Sequence, residues 1–265
     1  MPVIKTVSLS KVFGKLKAVD RLSLTIDPGE IFGLLGPNGA GKTTTIKMLT
    51  TLLPPSSGKA TVAGFDIQHQ AALVRGIVGY VPQLISVDGT LTGYENLLIF
   101  AKLYDIPPAE REQRIRSALS FMGLKEFAHK MVRQYSGGMM RRLEIAQSIL
   151  HRPPVLFLDE PTVGLDPNAR HLVWEHIQQL RRQYQTTIFL TTHVMEEADQ
   201  LCDRVAIMNL GKIAAIGSPA QLKQSIAKQN TSLDDVFIHY TGNLMDNGGN
   251  FRDIARTRRT ARRLG

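Results

Sequence analysis

The chain is poor in several things that would decide its class at once. It has one cysteine, Cys202, in 265 residues. That excludes a disulfide scaffold and a cysteine zinc cluster, and it fits a reducing compartment. No stretch reaches the ~18 apolar residues a membrane span needs. Met1 to Lys5 shows no basic head followed by an apolar stretch, so no secretory signal is expected. Glycine (22) and proline (13) are too few for a collagen-like or low-complexity chain. The 43% hydrophobic and 21% charged residues describe an ordinary globular chain, long enough for a full core.

The net charge of +9 is unevenly placed. Six arginines (252, 256, 258, 259, 262 and 263) against Asp253 give the stretch from Phe251 to Gly265 a net +5. The basic character is largely a property of that tail. Two readings of it stand: a solvated end, or contact with anionic lipid headgroups. No aromatics interleave these arginines, so no nucleic-acid partner is expected.

Short apolar runs mark strands. Val3–Ser8 and Leu22–Ile26 alternate, and Asp27-Pro28-Gly29-Glu30 is a turn signal, so this region reads as an antiparallel hairpin. Ile31–Leu35 and Val155–Leu158 read as strands buried on both faces. Lys59–Val62, Ile77–Val81, Thr187–Thr191, Arg204–Met208 and Lys212–Ile216 are further strands. Helices are expected from Lys42 to about Leu52, through most of 91–150, over 168–182, over 195–201, over 220–226 and from Ser232. Strands separated by helices imply an α/β fold with a parallel sheet, and the middle helical block reads as an insertion into it. In the helix after Ser136, Arg141, Arg142 and Glu144 are expected outside, with Leu143, Ala146, Ile149 and Leu150 inside. Asn247-Gly248-Gly249-Asn250 reads as a linker.

Gly36-Pro37-Asn38-Gly39-Ala40-Gly41-Lys42-Thr43 matches the phosphate-loop pattern, between a predicted strand and a predicted helix. Glycines let backbone N–H groups turn toward phosphate oxygens, and the helix start adds partial positive charge. Lys42 can reach the β- and γ-phosphates, and Thr43 can offer its hydroxyl to Mg²⁺. Val155–Leu158 delivers Asp159 and Glu160 to a strand end, where α/β sheets bind ligands. Asp159 suits a Mg²⁺ contact, and Glu160 suits the base that polarises an attacking water.

Further elements fall in one order: Gln83 after a strand, Tyr135-Ser136-Gly137-Gly138-Met139 opening a helix with Ser136 as its cap, Gly164-Leu165-Asp166, and His193 after the next strand. Together they resemble the nucleotide-binding subunit of the ATP-binding cassette (ABC) family, over about residues 3 to 220. The resemblance implies a RecA-like P-loop NTPase core with an N-terminal antiparallel β-subdomain and an inserted α-helical subdomain. It implies an ATP-binding domain over 1–220, with the insertion at about 88–150, and a C-terminal extension over 221–265. It makes ATP and Mg²⁺ the cofactors, with Gly36 to Thr44 on the nucleotide and Thr43, Gln83 and Asp159 at the metal. Gln83 is then the loop glutamine coupled to the membrane partner, and His193 the switch histidine at the γ-phosphate. Phe13 is placed to stack on adenine. Ser136, Gly137, Gly138 and Asp166 meet the ATP of another subunit. Tyr135 and Met139 depart from the Leu and Gln more common in this signature.

With one phosphate loop and one signature, the chain is expected to pair with a second ATPase subunit, a homodimer. It is expected to work with separate membrane-spanning permease subunits on the cytoplasmic face of the cell membrane, the helical block being the docking surface. Tyr135–Met139 with Arg141-Arg142-Leu143-Glu144, Thr162–Pro167, and the segment Ser232–Phe237 then Tyr240-Thr241-Gly242 are similar to daunorubicin-resistance-type drug exporter ATPases. That implies export of a hydrophobic drug or antibiotic-like compound. The alternative class is a soluble ABC-type ATPase regulating ribosomes or DNA. Its ribosomal relatives usually carry two cassettes, and its DNA-repair relatives carry long coiled coils that the stretch between Gln83 and Ser136 is too short to hold.

Overall fold

A computed structural model describes residues 1–226 and 231–242. The expected linker at 247–250 and the arginine-rich tail lie outside the described residues. Two sheets face one another. The smaller holds β1 (Ile4–Phe13), β2 (Leu16–Ile26), β4 (Ser57–Val62) and β5 (Phe65–Asp66), ordered β2-β1-β4-β5 with antiparallel pairs. The larger is ordered β10-β9-β3-β8-β7-β6, from β3 (Ile31–Leu35), β6 (Val78–Val81), β7 (Val155–Asp159), β8 (Thr187–Thr192), β9 (Arg204–Asn209) and β10 (Lys212–Gly217). Its pairs are parallel except β9 with β10.

The core follows from alternation along the central strands. Phe32, Phe157 and Phe189 lie in register on β3, β7 and β8, with ring centroids 5.6 Å apart in each adjacent pair. They pack with Ile4, Leu24 and Val62 between the two sheets. The alternate residues Ile31, Leu35, Leu156, Leu158, Ile188 and Leu190 turn the other way, toward the helices. A strand buried on both faces needs apolar residues at every position, which is why these runs do not alternate with polar ones.

β6 and β7 are adjacent and in register from Val78↔Val155 to Val81↔Leu158. The chain between them leaves the sheet and returns to it, carrying α3 (Gly93–Leu103), α4 (Pro108–Phe121) and α5 (Gly137–Ile149). Thr92 and Glu95 close a reciprocal cap on α3. The remaining helices are α1 (Lys42–Leu49), α2 (Ala71–Ile77), α6 (Pro167–Tyr184), α7 (Met195–Leu201), α8 (Pro219–Gln224) and α9 (Leu233–Thr241). Leu222, Leu233 and Val236 are buried in the same core as the helical insertion, so α8 and α9 are packed onto the body.

Three expectations need correction. The hairpin between β1 and β2 turns at Gly14-Lys15, while Asp27–Glu30 carries the chain from one sheet to the other. Ile77, expected in a strand, ends α2, a short helix with only Val74 buried and thus almost no apolar period to read. The third concerns α5. Arg141 and Glu144 are 2% and 3% exposed, and Arg142 is half-buried with its guanidinium donating to the Met122 carbonyl at 2.8 Å. None of the three lies on a solvent face, because the loop at 82–86 and the end of α4 cover that side of the helix.

Candidate functional site

The carboxyl ends of four neighbouring parallel strands, β3, β8, β7 and β6, deliver the groups singled out in the sequence. β3 runs into the glycine-rich loop, β8 into His193, β7 into Asp159 and Glu160, and β6 into Gln83. Neighbouring strand ends bring these distant residues within hydrogen-bond reach of one another.

Gly41 caps α1 with φ +111°, and a Cβ there would lie 2.3 Å from the Ala18 carbonyl oxygen. Only glycine fits that turn. The Lys42 ammonium folds back across the loop and donates to the Gly36 and Pro37 carbonyls at 2.7 and 3.2 Å. It also pairs with Glu160 Oε1 at 3.0 Å, with both side chains 4% exposed.

Glu160 is the meeting point of the site. Its Oε2 accepts from Gln83 Nε2 at 3.2 Å and lies 3.1 Å from His193 Nδ1. Its backbone N–H donates to the Thr191 carbonyl and hydroxyl at 3.0 and 3.1 Å. The residue sits at φ +50°, a left-handed conformation costly for a non-glycine residue. The Thr191 bonds hold that turn, which aims the carboxylate back over the loop rather than along the strand.

Asp159 is used differently. Its Oδ1 accepts from the Thr43 and Thr191 hydroxyls at 3.1 and 2.6 Å. Its Oδ2 is buried and has no hydrogen-bond partner among the described residues. A buried carboxylate oxygen left without a donor is costly unless a positive group meets it. Carboxylate and hydroxyl oxygens are the donor set of a hard divalent cation. Among the described residues no group of three or more His, Cys, Asp or Glu could hold a metal unaided. Such an ion needs oxygens from a ligand, as with phosphate-borne Mg²⁺.

Gly41, Lys42, Thr43 and Glu160 line a cleft of about 480 Å³ together with Phe13, Pro37, Asn38, Gly39, Thr44 and Gln83, while Asp159 and His193 are not part of its lining. Phe13 is 47% exposed at its rim, with the Lys11 ammonium 5.2 Å from its ring centroid. Ser136, Gly137, Gly138 and Asp166 do not line the cleft. Ser136 and Asp166 are exposed at the starts of α5 and α6, where their side-chain oxygens accept from Met139 N at 3.3 Å and Ala169 N at 3.0 Å. Gly138 sets the two helix starts together, since a Cβ there would lie 2.7 Å from the Ala169 Cβ.

Three contributors escaped the sequence reading. Thr191 holds both acids of the site, and its only sequence signal is a hydroxyl closing an apolar strand. Glu197 on α7 is 1% exposed and accepts from Thr162 Oγ1 at 2.7 Å and Trp174 Nε1 at 2.9 Å. Burial pushes its carboxyl above the usual range, against the pull of those donors. It ties the segment after Glu160 to the helix after His193. The third contributor is the Arg141–Glu144 pair, whose burial no spacing announces.

The glycine-rich loop, its lysine and the acidic strand end define a P-loop nucleotide-binding domain. The profile of the family described as ABC transporter matches residues 19–163. A second profile, "AAA domain, putative AbiEii toxin, Type IV TA system", matches only residues 132–199. The chain is 41% identical over 220 residues to the linearmycin resistance ATP-binding protein LnrL of Bacillus subtilis, covering 83% of this chain and 70% of that one. It is 44% identical to the daunorubicin/doxorubicin resistance ATP-binding protein DrrA of Streptomyces peucetius, covering 84% and 67%. It is 45% identical to the Nod factor export ATP-binding protein I of Sinorhizobium fredii, covering 83% and 64%. The chain thus spans about two thirds of the length of these relatives. A solved ATP-binding subunit of an ABC transporter superposes with a TM-score of 0.80 at 28% identity, over 90% of this chain and 99% of that one. The chain belongs to the ABC transporter family, as a nucleotide-binding ATPase subunit.

Proposed function

We propose that this chain hydrolyses Mg²⁺-ATP to drive export of a hydrophobic, drug- or antibiotic-like compound through separate membrane-spanning permease subunits. The names of LnrL and DrrA, both resistance proteins, support export over a soluble regulator of ribosomes or DNA. No helix among the described residues is long and apolar enough to cross a membrane, so the path for the compound needs other subunits. A second structural neighbour, cbiO1 of Clostridium perfringens, is titled part of the ABC transporter complex cbiONQ (TM-score 0.78, 26% identity, 83% of this chain, 90% of that one). Leu84, Ile85 and Leu103 are exposed, which supports docking of a permease segment on the loop after Gln83 and the helical insertion, with the chain on the cytoplasmic face of the membrane as the family resemblance implies. The ATP-binding domain is taken as residues 1–220, with the helical insertion at about 88–150 and an extension over 221–265.

In this reading Gly36–Thr44 cradle the phosphates and Phe13 stacks on adenine. Thr43, Asp159 and Gln83 attend Mg²⁺, which screens phosphate charge when bound. The fit rests on the unpartnered Asp159 Oδ2. An entering γ-phosphate competes with Glu160 for Lys42, as two anions sharing one ammonium. Glu160 released from that pairing takes the proton of the attacking water. His193 and Gln83, already on Glu160 Oε2, orient the reaction against the γ-phosphate.

The observation that carries the pairing is the separation of the two halves. The signature groups Ser136 and Asp166 lie outside the cleft, exposed, on helix starts suited to an anion. A second copy lends its signature to this chain's nucleotide, and the reverse, as two-fold symmetry requires. The test mixes two inactive variants, Lys42→Ala and Ser136→Arg. A mixed dimer then holds one intact loop facing one intact signature, so turnover returns on mixing. Failure of any mixture to exceed its separate components sinks the shared site.

A further inference from the structure

The interior of α5 holds a charge network that the catalytic reading does not use. Arg141 Nη1 donates to the Pro82 carbonyl at 2.7 Å, and Nη2 to the Gln83 carbonyl at 2.8 Å. Nη1 also pairs with Glu144 Oε2 at 2.9 Å. The other oxygen, Glu144 Oε1, accepts from the Ser86 backbone N–H at 2.6 Å and its hydroxyl at 2.9 Å. Both side chains are almost fully buried. The two residues thus hold the loop from Pro82 to Ser86 at three points. Gln83 and Ser86 are otherwise exposed, as are Leu84 and Ile85 between them. The Asp159 carboxylate also acts on the Arg141 guanidinium through space.

This places two constraints on one rigid element. Ser136 caps α5 at its first turn, and Arg141 and Glu144 lie one to two turns further along the same helix. We propose that Arg141 and Glu144 are positioning residues: they fasten the Gln83 loop to the signature helix, so that Gln83 reaches Glu160 only as far as α5 allows. Movement of Ser136 toward a nucleotide is thereby felt at Gln83 Nε2, 3.2 Å from Glu160 Oε2. The guanidinium is suited to this role because its planar fork spans two successive carbonyls, which a lysine ammonium cannot match in geometry. The inference rests on the role assigned to Gln83 above.

The test is a cycle on the full chain. The variant Arg141→Met with Glu144→Leu replaces the buried pair by apolar side chains of similar bulk, an exchange that folded proteins often tolerate. Chemical denaturation of each variant, run beside the wild type, separates a loss of fold from a loss of coupling. Turnover and nucleotide affinity are measured for the wild type, this variant, Gln83→Ala, and the combination. The expected result is a fall in kcat of about tenfold with affinity within about twofold, shrinking to less than about twofold in the Gln83→Ala background. Arg141→Lys, which keeps the charge but loses the fork, should fall between the wild type and the double variant. An equal fall in both backgrounds overturns the coupling and leaves the role of Gln83 standing. No fall on Gln83→Ala alone overturns the role of Gln83 and the coupling with it.

Discussion

At the strand ends the charged groups Lys42, Asp159 and Glu160 are buried and joined in one network: Lys42 on Glu160, the exposed Gln83 and His193 on the same carboxylate, Thr43 and Thr191 on one oxygen of Asp159. At the starts of α5 and α6 the comparable polar groups are exposed, and Ser136 and Asp166 each cap an N–H of their own helix. The difference is one of cost. A buried network fixes geometry before any ligand arrives, and removing one partner strands another charge. An exposed cap can be lent to an outside anion while losing little, since water was its alternative partner. The first half is built to do chemistry and the second to be shared.

The comparison can be broken most sharply at Lys42. Lys42→Ala removes the ammonium that bridges the loop and Glu160, and nucleotide affinity should fall about a hundredfold, measured by equilibrium binding. Glu160→Gln should lower turnover by about 10²- to 10⁴-fold, the usual contribution of a general base. It also frees Lys42 from its carboxylate, so affinity for ATP should hold or rise. A parallel drop in affinity would show that Glu160 does not compete for the lysine. Ser136→Ala should have the smallest effect on the isolated fold, about 1 kcal/mol for a lost cap by chemical denaturation. It should leave binding by the dilute chain unchanged while abolishing the rise of specific activity with protein concentration. A loss of binding in dilute solution would place Ser136 at its own cleft.

The phosphate loop was legible in the sequence because its residues act through contiguous backbone: a strand, a turn that demands glycine, and a helix start. The strands Ile31–Leu35 and Val155–Leu158 were legible because burial on both faces leaves no room for a polar residue within the run. The hairpin turn was misplaced because Asp27-Pro28-Gly29-Glu30 carries stronger turn chemistry than Gly14-Lys15, and local chemistry does not say which sheet the next strand joins. α5 failed for a related reason. Arg141, Arg142 and Glu144 among apolar residues read as a solvent face, and only the return of the chain from β6 laid a loop on them. Glu197 had a faint signal, since it stands one turn before the buried Leu201 and next to the buried Ala198 on α7.

The sequence alone determined the nucleotide chemistry, the α/β class and the order of the motifs, because each depends on residues near one another along the chain. Tertiary structure alone decided that Gln83 and His193 converge on one oxygen of Glu160, and that one oxygen of Asp159 meets no partner among the described residues. Those facts depend on which strands become neighbours, and neighbours in a sheet are chosen by packing over the whole core rather than by any local run of residues.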